Sequence, residues 1–254
     1  MQRLADLTTD ALRTLVDGPD PVVALVPVGS VEPHGPHLPL GTDTTISEGA
    51  IAHSDALLSA AGVVPLLAPA VPYGVTDFAT GFAGAVSIPA PVLTDYLVAI
   101  RDALLRDGFA HVCFVNNHLE PEHDAAVRAA VADAPPTRAS VACPLTRRWG
   151  RTLSDEYKRG NCHAGRYETS LVLAATPEVV RQDRAASLPP VDISLADGIR
   201  RGQKSFRAMG LDEAYTGAPA EATVDEGVDL YRRLARMVAG EVLDALGRSP
   251  APPG

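Results

Sequence analysis

PVVALVPVGS, residues 21–30, decides the fold. Its β-branched and apolar residues run on without polar alternation and stop at Gly29-Ser30. That is the pattern of a strand buried on both faces, with a loop at its carboxyl end. TTISEGAIAHSDALLSAAG (44–62) follows as a helix, with Asp43 or Thr44 as N-cap and Gly62 as stop. VVPLLAPAV (63–71) is a second strand-like run, and a Gly-rich loop over 73–88 leads back into a short strand. A helix over 89–108 precedes the buried strand FAHVCFVNN (109–117), and a helix over 120–134 precedes a strand at 140–145. Further helices are expected over 166–182 and 222–247, and the opening MQRLADLTTDALRTL reads as a capped amphipathic helix. Strands and helices alternate, and the strands are apolar throughout. The expected fold is therefore α/β, a three-layer α/β/α sandwich with a mostly parallel central sheet. One domain spans 1–247, and RSPAPPG (248–254) reads as a disordered tail. The stretch 183–220 looks irregular and reads as a lid or an oligomer contact.

The 254 residues suit one large α/β domain, and 46% apolar content is enough for a sizeable core. No apolar run approaches the roughly 18 residues that span a bilayer, and the start lacks the basic and apolar regions of a secretory signal. No membrane partner is expected. The net charge of −9 comes from dispersed acidic residues, which argues against nucleic acid as a partner. Arg147, Arg148 and Arg151 cluster, but three residues make too small a footprint. Three cysteines without a CxxC pair fit a reducing, cytoplasmic setting.

Ligands of open α/β sheets bind outside the carboxyl ends of the strands. The loop GSVEPHGPHLPLGTD (29–43) delivers Glu32, His34, His37 and Asp43 there. The strand at 109–117 delivers Asn116, Asn117, His118 and Glu120 to the same edge. Glu32, His34, Asp43, His118 and Glu120 form a mixed nitrogen and oxygen set that suits Zn, Mn or Fe. Three carboxylates and one hydroxide balance two divalent cations, and water held by such ions ionises near neutral pH. Proline and glycine spacing keeps the first loop non-helical and rigid. In NCHAGRYETS (161–170), His163 suits a general acid or base oriented by Glu168. Glu168 equally suits a carboxylate favoured by the dipole of a helix start, and Cys162 beside His163 leaves a nucleophilic reading open.

Three elements in this order resemble the creatininase (creatinine amidohydrolase) family. They are E-x-H-G-x-H-L-P-x-x-T-D at 32–43, N-x-H-x-E at 116–120 and H-A-G-x-x-E-T-S at 163–170. The resemblance covers about residues 1–180 and implies an α/β/α fold, two divalent metal ions per subunit and homo-oligomers, often hexamers. It implies Glu32 and Glu120 on one metal, His34 and His118 on the other, and Asp43 as the bridge. His163 and Glu168 match catalytic positions. His37 matches a motif histidine outside the immediate ligand set, and Asn116 is expected in a similar supporting role.

The implied function is metal-dependent hydrolysis of a C–N bond in a cyclic or small amide or amidine substrate. A metal-bridging hydroxide attacks the carbon and His163 protonates the leaving nitrogen. Thr76, Trp149 and Arg166 are candidate substrate contacts; core packing for Trp149 and an exposed helix start for Arg166 are the plainer readings. Residues 158–162, KRGNC, lack the Trp and acidic residues that creatininases carry before this histidine, so the substrate is expected not to be creatinine. The H-A-G-R start is similar to relatives that trim modified peptides in cofactor biosynthesis. A lactam-forming or peptide-trimming biosynthetic step is thus an alternative, as is a non-catalytic metal-stabilised scaffold.

Overall fold

A computed structural model describes residues 1–249 of the chain. Five strands form one sheet: β1 (Gln2–Arg3), β2 (Val22–Val28), β3 (Val64–Leu67), β4 (His111–Asn116) and β5 (Ala139–Ala142). Their spatial order is β1-β3-β2-β4-β5, with every pairing parallel. The helices are α1 (Thr9–Val16), α2 (Thr42–Ala60), α3 (Ala90–Arg106), α4 (Pro121–Ala129), α5 (Arg147–Gly150), α6 (Asp155–Arg159), α7 (Arg166–Ala175), α8 (Gln182–Ser187), α9 (Leu195–Arg200) and α10 (Val224–Ala245).

All seven residues of β2 are buried, and they alternate between two cores. Val23 and Leu25 face a cluster with Ile46 and Ile51 of α2, Leu171 of α7 and Leu230 of α10. Val22, Ala24, Val26 and Val28 face a cluster with Leu93 and Leu97 of α3 and Val127 of α4. This period-2 split explains why the strand shows no polar positions: both of its faces are roofed by helices. Each large apolar side chain fully buried there contributes roughly 1.5–3 kcal/mol.

From β2 the chain turns to β3 on one side of the sheet, then crosses to β4 on the other. β2 and β4 are neighbours, and the helices that follow them pack on opposite faces. Their carboxyl-end loops therefore diverge and open a crevice, the switch point where open sheets bind ligands.

The structure departs from the sequence expectation in five places. The N-terminus is not one helix. Gln2–Arg3 pairs with Leu66 and Leu67, covering the outer edge of β3, and α1 begins only after Thr8, whose Oγ1 accepts from Ala11 N at 3.2 Å. The short strand expected near residue 88 does not form, because β3 and β4 already occupy both edges of β2. Val86 N and Ile88 N donate instead to Val31 O (3.0 Å) and Gly74 O (2.9 Å). The helix expected to reach 182 stops at Ala175, since Pro177 biases the preceding residue away from helical geometry. Residues 183–220 are not irregular: they supply α8, α9 and a third apolar cluster of Phe206, Met209, Leu211 and Ala214 around Ala79. Arg248, placed in the expected tail, donates from Nη1 to Ala61 O (2.6 Å) and Gly62 O (2.8 Å). The rest of that tail, from 250 on, lies outside the described residues. No described helix is long and apolar enough to cross a membrane.

Thr223 caps α10 by accepting from Glu226 N at 3.1 Å, and the helix then packs closely on α7. A Cβ on Gly227 would lie 2.0 Å from Ser170 O, a backbone atom that cannot swing aside. Gly227→Ala should therefore destabilise the fold by about 1–3 kcal/mol despite alanine's better helix propensity. A lowered urea midpoint with an unchanged slope is the expected result.

Candidate metal and active site

The site is built by the loops that leave β2 and β4. Gly29 ends β2 with so little room that a Cβ would sit 2.7 Å from Thr44 N, which draws the start of α2 against the strand end. Ser30 N then donates to Asp43 Oδ2 at 3.2 Å, fixing the carboxylate of the first α2 turn. On the other loop, Asn116 Oδ1 accepts from His118 N at 3.0 Å and bends the chain so that His118 faces the crevice. The third contribution comes from the turn into α7. Ala164 adopts a left-handed φ of 50°, and its N–H donates to Glu168 Oε2 at 2.6 Å. That strained alanine aims Glu168 back toward the loops.

Asp43 stands at the centre. Its Oδ1 lies 3.1 Å from His34 Nε2, and its Oδ2 lies 3.1 Å from His118 Nδ1. His118 Nδ1 is also 3.2 Å from Glu32 Oε1, whereas His34 Nε2 is 3.6 Å from Glu168 Oε2. Donor atoms of His34, Asp43 and Glu168 lie within 4.8 Å of one another, as do those of Glu32, His118 and Glu120. The two histidines thus sit on opposite oxygens of Asp43. The family resemblance implies Asp43 as the bridge between two metals, and here both histidines meet Asp43, one at each oxygen, while Glu32 also lies 3.7 Å from His34 Nε2. The physical reason is that Asp43 enters between the two loops, so each loop's histidine meets a different oxygen.

The donor set fits divalent cations. His118 Nε2 must carry a hydrogen to donate to Val75 O (2.7 Å), and His34 Nδ1 must carry one to donate to Glu32 O (3.1 Å). Each ring therefore turns its other nitrogen toward the carboxylates, in the orientation of a metal ligand held by a backbone carbonyl. Glu32, Asp43, Glu120 and Glu168 are all buried, and among the described residues their ion-pair partners are histidines alone. Burial opposes a charge on His34, but Asp43 beside it lifts the imidazole to about 10. His118 is likewise raised against burial by Glu32 and Asp43. Burial works the same way on Glu32, yet His118 holds that carboxylate down at about 2. Glu168 is pushed up to about 8 by burial.

Glu120 and His163 complete the floor. Glu120 Oε1 and Oε2 accept from Asp77 N (3.0 Å) and Phe78 N (3.2 Å), and burial lifts this carboxyl to about 7. His163 donates from Nε2 to Pro33 O at 3.0 Å and leaves Nδ1 3.6 Å from Glu32 Oε1. Burial and the neighbouring His34 push it down to about 4, so its imidazole is neutral at pH 7. Above these groups opens a cavity of about 430 Å³.

The remaining expected residues fall into two groups. Thr76 is buried, and its hydroxyl donates to Glu32 Oε2, which orients a candidate ligand. His37 Nε2 meets Thr169 Oγ1 at 2.8 Å and braces α7 against the first loop, away from the donor atoms. Asn116 shapes the β4 loop as described. Trp149 and Arg166 are not brought to the cavity wall. The Trp149 indole donates to Glu241 and packs against Gly240 of α10, while Arg166 pairs with Glu221 and Glu226. Both positions answer to α10 and the loop before it, whose charges complement them. Two contributors carry no local signal in the sequence. The ring of Phe206 lies 4.4 Å from that of His163, and His123 stands edge-on to His118 at 4.6 Å while its Nδ1 accepts from Val75 N.

Known proteins resemble this chain in sequence and in fold. The family described as "Creatininase: Creatinine amidohydrolase" matches residues 5–242. A "Mycofactocin precursor peptide peptidase" of Mycobacterium ulcerans (strain Agy99) is 33% identical over 243 residues, covering 91% of this chain and 87% of that protein. A solved structure described as "Creatininase Mn" superposes with a TM-score of 0.72 at 20% identity, covering 95% and 97% of the two chains. A creatininase variant described as "Zn-Zn type" gives 0.71 at 19% identity, covering 95% and 96%. At these identities the structural likeness speaks for the fold alone.

Two predictions follow from the shared Asp43. Asp43→Ala should abolish metal retention, whereas Glu168→Gln should lose about half of it, read as metal per subunit by elemental analysis. A cation must displace protons from His34, His118 and Glu168, whose pKa values stand above neutral. Loading at pH 7 should therefore release about two to three protons, and affinity should fall as pH falls. Calorimetry in buffers of different ionisation heat measures that number.

Proposed function

This chain belongs to the creatininase family, and from that premise we propose that it is a divalent-metal-dependent amidohydrolase that trims a peptide-derived substrate at an amide C–N bond. The observation that carries the reading is the cluster itself: His34 and His118 each meet one oxygen of Asp43, and Glu32, Glu120, Glu168 and His163 complete the donor groups at the floor of one cavity. Glu32, His118 and Asp43 would hold one cation, and His34, Glu168 and Asp43 the other. Ions held there supply Lewis acidity toward a carbonyl oxygen and lower the pKa of a water in contact with them.

The chain's own groups then move the protons. Glu120 is anchored by two peptide N–H groups and titrates near 7, so it takes a proton from the attacking water and passes it to the leaving nitrogen. This moves the proton donation expected of His163 to Glu120. Neutral His163 accepts a hydrogen bond at Nδ1 and fixes the substrate against the Phe206 ring. The 33%-identical relative named as a peptide peptidase supports a peptide-derived substrate. So does the size of the cavity, whose wall runs from the floor to Leu145 and Ile199, more room than a small ring requires.

A panel of metal-loaded protein with N-acylated short peptides and creatinine tests this reading. Peptide cleavage that stops on chelation and returns with Mn or Zn is expected; peptide cleavage at full rate after chelation would sink it. Glu120→Gln should keep its metal and lose roughly 100- to 10,000-fold in kcat. Loss of metal together with activity would instead place Glu120 among the ligands.

A further inference from the structure

The charges lining the cavity are segregated. Among the described residues its only acidic lining is the four carboxylates of the floor. The stretch from Pro144 to Cys162 also contributes to the lining, and its charged side chains there are Arg147, Arg151 and Lys158. Their neighbours are differently committed. Arg148, on the same short helix, turns away to Asp244 and lies over the Trp149 ring, and Lys158 is paired with Asp155 at 2.7 Å. Neither Arg147 nor Arg151 forms an ion pair among the described residues. Tyr157, which also lines the cavity, packs its ring against that of Tyr167 at 5.0 Å.

The third side of the cavity is apolar, formed by Leu195 and Ile199 of α9 and by Phe206. Two divalent cations would match the four floor carboxylates in charge. The field that remains in the cavity then comes from the arginine wall, and it is positive. Arg147, Arg151 and Lys158 are exposed, so their attraction for an anion is screened by salt.

We propose that Arg147 and Arg151 bind a carboxylate carried by the substrate, while the apolar side chain next to that carboxylate packs against Leu195, Ile199 and Phe206. The substrate class is an amide of an anionic, apolar amino-acid unit, such as the carboxyl-terminal end of a peptide. This rests on the amidohydrolase reading for its chemistry, though binding alone can test it. Planar guanidinium groups suit a carboxylate because their paired N–H groups match its two oxygens. The same chemistry could come from a free C-terminus or from an acidic side chain.

The experiment compares three N-acetylated peptides of one length with the metal-loaded protein: a C-terminal acid, its C-terminal amide, and the amide with a Glu side chain at the last position. Binding is read by calorimetry and cleavage by kcat/KM. The acid should bind roughly tenfold or more tightly than the plain amide, and the preference should shrink as salt rises. Tighter binding of the Glu peptide than of the acid would assign the carboxylate to a side chain. In Arg147→Gln and Arg151→Gln the ratio of anionic to neutral ligand should collapse toward one, and in Arg151→Lys much of it should return. Far-ultraviolet dichroism and melting temperature establish that each variant is folded. Equal binding of all three peptides by the wild type, or a preference that survives both Gln variants, would overturn the proposal. Anion-selective binding without cleavage of any peptide would instead count against the amidohydrolase reading and leave this one standing.

Discussion

Four carboxylates buried at one point are the constraint on which the rest of this molecule depends. Glu32, Asp43, Glu120 and Glu168 come from three segments of the chain and converge where water is largely excluded. Like charges in such a place repel strongly and need compensation. The histidines compensate in part, which is why His34 and His118 are held so far above their usual range. The rigid positioning of the first loop, the tight end of β2 at Gly29 and the left-handed Ala164 all serve to keep the carboxylates together despite their repulsion.

The parallel sheet makes that convergence affordable in structural terms. β2 and β4 are buried on both faces, so the apolar packing that stabilises the fold lies away from the polar edge. Their carboxyl ends point the same way and their loops part at the switch between them. Backbone carbonyls at that edge set the imidazoles. Val75 O fixes His118, Glu32 O fixes His34 and Pro33 O fixes His163, and each leaves one ring nitrogen turned inward. A polar centre of this kind is rigid because every element that reaches it is anchored elsewhere.

The segment from 183 to 220 gives the centre its surroundings. Gly217 pairs with Val191, Thr216 Oγ1 donates to Val191 O and Ile193 O, and Asn161 donates to Asp192. These bonds fasten the segment beside the turn that carries His163. Glu156 works on the same turn: its carboxylate accepts from Arg166 N, Tyr167 N and Ala218 N, capping α7 and tying it to the later loop. Phe206 then reaches His163 from this segment and α9 supplies an apolar wall, so the cavity has an acidic floor, a basic side and a greasy side.

The sequence by itself determined the architecture and the ingredients of the centre. Short apolar runs that alternate with helical segments read as parallel strands covered on both faces, and histidines and carboxylates after two such strands then fall at one sheet edge. Local sequence also placed the start of α7 at Arg166, but it put the cap of α2 at Asp43 or Thr44 where Gly41 holds that position; the supporting position of His37 came from the family resemblance. What it left open depends on contacts between residues far apart. Which oxygen of Asp43 faces which histidine is set by how α2 enters between two loops. That Glu168 stands beside His34 depends on the φ of Ala164. Trp149 and Arg166 answer to α10, some 60 to 90 residues on. Phe206, in a stretch without periodicity, meets His163 only because a third apolar cluster folds that stretch back over the site. Periodicity and residue type are local properties of a chain, whereas the facing of two side chains is decided by the packing of the elements that carry them.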